Sequence, residues 1–216
     1  MLCSEFNFPL PLYSRRKRKN ESVQIIQVGK LTQPRKRHDW TIQSLLNSKM
    51  DCTLKIFGAG PKDFDFKRPS DMGDTTRSEE YFEKIHQLAS VANNSEHLKV
   101  EIVHDLDYYE IQRHYFESDI CVLPSETEEY GISLLEAMSH GCAVLVSDAS
   151  GVAHSVQDDN HGMAFSTSSY SDFESKLLNL MQDKRTLKNA QQHNRSVIQA
   201  NHNYNQFVAF IENIVS

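Results

Sequence analysis

Six short apolar runs, each followed by a polar turn and most of them by a helical stretch, restrict this chain more than any other feature. They fall at residues 23–28, 53–58, 98–103, 120–124, 143–146 and 162–165. Between the early runs the spacing is helical: Trp40, Ile42, Leu45 and Leu46 over 38–47, and Tyr81, Ile85, Leu88 and Ala89 over 77–92. Residues 108–118 read as a third helix and 152–157 as a short one. Strands alternating with helices predict an α/β fold with a doubly wound, Rossmann-like parallel sheet. The chain of 216 residues, 39% hydrophobic, suits one domain with a sizeable core. Residues 1–20 read as a tail or linker, because Pro9, Pro11 and the run Arg15-Arg-Lys-Arg-Lys19 oppose packing. Residues 21–216 form the domain. Two helices, 171–181 and 203–215, close it, with a polar helical stretch over 183–201 between them.

In such sheets ligands bind at the carboxyl ends of the strands, and anions are favoured at the helix N-termini that follow. Two places fit. After the first run comes Gly29-Lys-Leu-Thr-Gln-Pro-Arg-Lys-Arg37, a strand end, a basic loop and a helix start, which make an anion site. After the fourth run comes Ser125-Glu-Thr-Glu-Glu-Tyr-Gly-Ile-Ser-Leu-Leu-Glu-Ala-Met-Ser-His-Gly141, with a helix over 131–140 capped by Gly141. Glu136 stands among Leu134, Leu135, Ala137 and Met138, so burial is expected. A buried carboxylate needs donors, which ligand hydroxyls or nearby backbone can supply. Glu126, Glu128 and Glu129 can serve a ligand or simply favour the helix dipole.

The stretch from Pro124 to Asp148 resembles the E-x7-E region of retaining GT-B glycosyltransferases, most closely the large group called family 4. Glu128 and Glu136 take the two Glu positions, Tyr130-Gly131 is the aromatic-Gly pair, and Glu129 stands where Gly is usual. Residues 29–37 resemble that family's Gly-Arg-Leu…Lys-Gly segment. Lys30 replaces Arg, Lys36 or Arg35 takes the second basic position, and Arg37 replaces Gly. Gly58-Ala-Gly60-Pro61 resembles its Gly-x-Gly-Pro turn, and the Pro-Glu expected around Ala153-His154 is missing.

The resemblance runs from about Val23 to the end and implies the C-terminal, donor-binding half of a GT-B enzyme. It implies a nucleotide-diphosphate sugar as donor and a saccharide or lipid-linked acceptor. Transfer of a hexosyl unit would retain configuration, as in polysaccharide biosynthesis, with no metal or other cofactor. Lys30, Lys36 and Glu128 would carry catalysis. Glu136 would take the ribose hydroxyls. Tyr130, Gly131 and Ile132 would hold sugar and phosphate through backbone N–H groups, and Gly29, Arg35 and His104 would line the nucleotide pocket. The acceptor-binding half would lie in a separate domain or subunit. The alternatives are a non-catalytic nucleotide-sugar-binding module, from a split enzyme or a truncated remnant, and a dinucleotide-dependent oxidoreductase read from Gly58-Ala-Gly60. The last lacks a third glycine, since Asp63 occupies that position.

Charge and cysteine usage narrow the partners. Residues 1–50 hold ten Lys/Arg against three Asp/Glu, and the rest hold 13 against 26. The basic end suits phosphates or a peripheral membrane contact. No aromatic residues interleave with it, which argues against nucleic acid. No apolar run approaches the roughly 20 residues of a membrane span, and no signal-peptide pattern opens the chain, so a cytoplasmic location is expected. Cys52, Cys121 and Cys142 lie in or beside strand runs and read as small buried hydrophobes; with Cys3 they form no CxxC pair. Asp63-Phe-Asp65 has D-x-D spacing, but the resemblance implies metal-independent chemistry.

Overall fold

The protein is described here from a computed structural model covering residues 22–60, 75–104, 106–156 and 161–201. In chain order the elements are β1 (Val23–Val28), α1 (His38–Ser48), β2 (Cys52–Phe57), α2 (Thr75–Asn93), β3 (Leu98–Val103) and α3 (Tyr108–Glu117). Then come β4 (Ile120–Leu123), α4 (Ile132–Ser139), β5 (Ala143–Ser147), β6 (Gly162–Phe165), α5 (Tyr170–Gln182) and α6 (Lys184–Asn201). All six strands pair in parallel, in the order β3-β2-β1-β4-β5-β6. This is the Rossmann-like sheet expected from the alternation.

Successive side chains of a strand point to opposite faces, and β1 shows the consequence. Ile25 packs into one core with Leu45, Ile85, Phe173 and Leu177, residues of α1, α2 and α5. Ile26 packs into a second core with Tyr115, Leu135, Met138 and Ile198, residues of α3, α4 and α6. Both faces are covered, so the central strands are buried along their whole length: every residue of β4 and β5 is buried. Cys52, Cys121 and Cys142 are buried within these cores, and Cys142 donates its thiol to the carbonyl of Tyr115 at 3.1 Å.

Helix boundaries fall within about two residues of the sequence reading. The stretch expected as a helix over 152–157 is instead a single 3₁₀ turn, Ala153–Ser155, whose bonds run from Ser155 N–H to Val152 and from Val156 N–H to Ala153. The expected tail 1–20, the polar loop 61–74 with Asp63 and Asp65, and the closing helix 203–215 lie outside the described residues. Among the described residues, no helix is long and apolar enough to cross a membrane.

Candidate active site

The strand order reverses direction between β1 and β4, and in such sheets ligands bind in the crevice outside the carboxyl ends of the strands at that switch point. Both basic and acidic candidates sit on these two loops. The β1 loop is seated on the end of β2: a Cβ on Gly58 would lie 1.9 Å from the Gly29 carbonyl oxygen, so only glycine lets the loop pass. Gly29 N–H donates to Phe57 and Leu31 N–H to Ala59. The loop then turns through a short 3₁₀ segment, Pro34–Lys36, into α1.

The three consecutive basic residues each have a separate anchor. Arg35 donates through Nη1 to the Thr127 carbonyl at 2.7 Å, while its own carbonyl accepts from Glu126 N–H at 2.7 Å. Lys36 forms an ion pair with Glu128 in which Nζ meets Oε2 directly, with side chains only 12% and 18% exposed. Ser125 Oγ also donates to Glu128, at 3.4 Å. Arg37 reaches past both to the Thr167 carbonyl, at 2.7 Å. The β1 and β4 loops are therefore sewn together at three points, and the expected phosphate-binding lysine faces the expected sugar-binding glutamate.

Beneath this loop lie two buried polar residues that sequence reasoning passed over. Gln27, 1% exposed, donates its amide to the Lys36 carbonyl at 2.9 Å, and its Oε1 has no hydrogen-bond partner among the described residues. His38 is fully buried, with Nε2–H facing the Lys30 carbonyl at 3.3 Å. Burial pushes its pKa down to about 4, only partly offset by backbone hydrogen bonding, so the ring is neutral at pH 7. The readable signal for Gln27 was a polar residue next to the carboxyl end of a strand whose other residues, Gln24 apart, are Val and Ile.

On the other wall, Gly131 caps α4 with φ +85°, and a Cβ there would sit 2.9 Å from both Leu123 and Val152. The helix starts at this tight turn, and its first N–H groups carry the partial positive charge of a helix N-terminus. Tyr130 and Ile132 flank it with side chains 46% and 45% exposed. The other end closes as the sequence implies: Gly141, φ +82°, donates to Met138 while Cys142 donates to Ala137, the 5→2 and 6→1 bonds of a Schellman motif. The loops after β4 and β5 also pair, through a bridge between Glu128 and Ser150 and a bond from Gly151 N–H to the Glu128 carbonyl.

Glu136 is only partly buried, and its donor is a protein group: the Tyr115 hydroxyl, 3.2 Å from Oε2. Desolvation raises its carboxyl pKa, and the tyrosine's bond works against that rise. His104 sits beyond the end of β3, two strands from β1. It stacks on His86 with centroids 5.8 Å apart, and Phe82 lies 5.7 Å away. A Cβ on Gly60 would be 3.0 Å from its Nδ1. Gly29, Lys30, Arg35, Lys36, Glu128, Tyr130 and Gly131 thus fall on the two loops of the switch point, and Ile132 opens α4 directly after them. Glu136 stands on the α3 side of α4, and His104 further along the same sheet edge. Among the described residues no group of three His, Cys, Asp or Glu side chains is placed to hold a metal ion.

Fold and site together define an α/β domain with an anion-suited crevice at its switch point. The chain belongs to the family of Glycosyl transferases group 1, which matches residues 13–197. It is 34% identical over 80 residues to a sulfoquinovosyl transferase of Arabidopsis thaliana, covering 36% of this chain and 16% of that protein. In fold it is similar to HepE of Anabaena, solved with UDP and glucose, at a TM-score of 0.71 and 14% identity over 90% of this chain and 48% of that one. It is also similar to sucrose-phosphate synthase of Thermosynechococcus elongatus, at a TM-score of 0.67 and 18% identity over 91% and 45%. The C-terminal domain of a group 1 glycosyl transferase, LpcC of Francisella tularensis, aligns at 0.62 and 24% identity over 82% and 85%. The chain thus spans under half the length of the first three proteins and most of a C-terminal domain.

Proposed function

We propose that this chain is the donor-binding part of a retaining glycosyltransferase of the family 4 type. It binds a nucleotide-diphosphate sugar and passes the glycosyl unit, a hexose, to a saccharide or lipid-linked acceptor. The observation that carries this reading is the Lys36–Glu128 pair at the switch point, beside the N-terminus of α4. A cation, a carboxylate and free-ended backbone N–H groups at one crevice suit a ligand with both phosphates and hydroxyls.

In this reading Lys30 and Lys36 neutralise the diphosphate as it departs with the bonding electrons, and the α4 N-terminus adds its partial positive charge. Glu128 accepts from hydroxyls of the transferred sugar, Gly131 lets the backbone approach it, and Tyr130 and Ile132 cover it. Glu136 shares the ribose hydroxyls with Tyr115. Arg35 and Gly29 shape the phosphate loop, and His104 borders the nucleobase. Protein cations carry the leaving-group charge, so a chelator leaves binding unchanged. The neighbours solved with UDP make a uridine nucleotide the first candidate. Residues 21–216 act as one unit, with the acceptor supplied from a separate domain or subunit.

The test is thermal shift against UDP, GDP and their sugars, since a ligand that binds only the folded state raises the melting temperature with concentration. Incubation with the stabilising nucleotide-sugar and oligosaccharide or lipid-linked acceptors follows. Stabilisation by a nucleoside diphosphate and transfer with retention support the reading. Stabilisation without transfer leaves a nucleotide-sugar-binding module, and no stabilisation by any of them contradicts the site.

A further inference from the structure

Arg37 has no role in the reading above, yet its surroundings are unusually specific. It is one of two non-glycine residues among those described with a positive φ, at φ 52° and ψ 42°, in the left-handed region that costs an L side chain energy. Something must hold it there. The side chain is 13% exposed, and its guanidinium lies over the ring of Trp40, 4.0 Å from the centroid. Nη1 donates to the Thr167 carbonyl at 2.7 Å, and Nη2 stands 3.9 Å from Glu126 Oε1.

Each of these contacts belongs to a different part of the carboxyl edge. Trp40 is set in α1 by edge-on contact with Tyr170 at 5.2 Å and by Phe173 at 5.9 Å. Thr167, in the turn between β6 and α5, is fixed by Asp148, whose Oδ1 accepts from its backbone N–H at 2.8 Å and from its hydroxyl. Glu126 belongs to the β4 loop. One side chain therefore ties the β1 loop to the loops after β4 and β6, and through Thr167 to Asp148 after β5, and the residue held in the left-handed turn directly follows Lys36.

We propose that Arg37 is a positioning residue: it locks the β1 loop in the left-handed turn that presents Lys36 to the crevice. It acts through geometry rather than by touching the ligand. The planar fork is what matters, because it must stack on a ring and meet a carbonyl at once, which a lysine ammonium cannot do. The proposal rests on the diphosphate reading of the site, and the experiment separates the two.

Arg37→Gly suits the test because glycine accepts a φ of 52° without strain, so the turn keeps its backbone freedom while the clasp is removed. Arg37→Lys keeps the charge and removes the fork. Trp40 is the chain's single tryptophan, so its emission and its quenching by acrylamide report on the clasp without any ligand. Binding of UDP and of inorganic pyrophosphate is measured calorimetrically, well below each variant's melting transition. Both variants are expected to bind about five- to tenfold more weakly than the parent, the range for ordering one or two side chains on binding. Both should also show Trp40 more accessible to acrylamide. Should the glycine variant fail to fold, the lysine variant alone decides. Parent-like binding by Arg37→Lys overturns the proposal, since charge alone would then suffice. So does parent-like binding by Arg37→Gly, or unchanged quenching in both. A parent that binds neither UDP nor pyrophosphate overturns the reading of the site, and the role of Arg37 with it.

Discussion

Changing Glu128 to glutamine should strengthen binding of a bare nucleoside diphosphate. In the unliganded chain Lys36 is already neutralised by Glu128, and both side chains are more than four-fifths buried. An incoming phosphate must compete with that carboxylate. At an effective dielectric near 20, unit charges about 4 Å apart attract by about 4 kcal/mol. Desolvating both ions cancels most of this, leaving a net coupling of about 1–2 kcal/mol. Glutamine keeps the shape and an acceptor oxygen for Lys36 but removes the charge. The variant should therefore lose about 1–2 kcal/mol of stability without ligand and bind UDP about five- to thirtyfold more tightly. For UDP-glucose the gain should shrink or reverse, because Glu128 no longer accepts from the sugar hydroxyls. Titration calorimetry with UDP and UDP-glucose on parent and Glu128→Gln reads both effects. A variant that binds UDP more weakly than the parent would refute the competition.

Lys36→Ala should weaken UDP binding by about 1–3 kcal/mol, the cost of a lost charged hydrogen bond, and Lys30→Ala should do so in the same range by calorimetry. His38 has a depressed pKa in the folded chain, so its contribution to stability is present above about pH 6.5 and lost as the pH falls towards 4. The parent should lose about 3 kcal/mol over that window, and denaturant titrations of His38→Gln should show that loss removed. Glu136 has a raised pKa, so the opposite sign holds: its penalty appears as the pH rises through the ordinary carboxylate range. Glu136→Gln should be more stable than the parent near neutrality by denaturant titration, because the desolvated charge is gone, and should bind UDP more weakly. Gly131→Ala forces a Cβ to 2.9 Å from Leu123 and Val152 at positive φ; a loss of about 1–3 kcal/mol is expected from thermal melts.

The sheet was legible because burial on both faces writes itself as uninterrupted apolar runs, as in residues 120–123 and 143–146. The two site loops were legible because they follow the runs that become neighbours at the switch point. The pairing of Lys36 with Glu128 was not, since 92 residues separate them and only the register of β1 against β4 brings their loops together. Tyr115 as the donor to Glu136 was hidden for a similar reason: it depends on how α3 packs against α4, and at helical spacing a tyrosine reads as core. Arg37 stands in a basic run at a position where the resembling segment has Gly, which hints at its positive φ. Its stacking on Trp40 and its bond to Thr167 are tertiary facts with no local signature. Gln27 and His38 could have been flagged, because each is a polar residue in a buried position close to a strand's carboxyl end.

The central claim is that a nucleoside diphosphate sits in the crevice between the loops after β1 and β4. Backbone amide shifts by NMR, recorded as UDP is added to the isotopically labelled chain, test it most directly. The account expects the largest changes at residues 29–37 and 130–134, with smaller ones near His104. Changes centred instead at the amino edge of the sheet, around Asp51 and His97, or no changes at millimolar UDP and GDP, would contradict it.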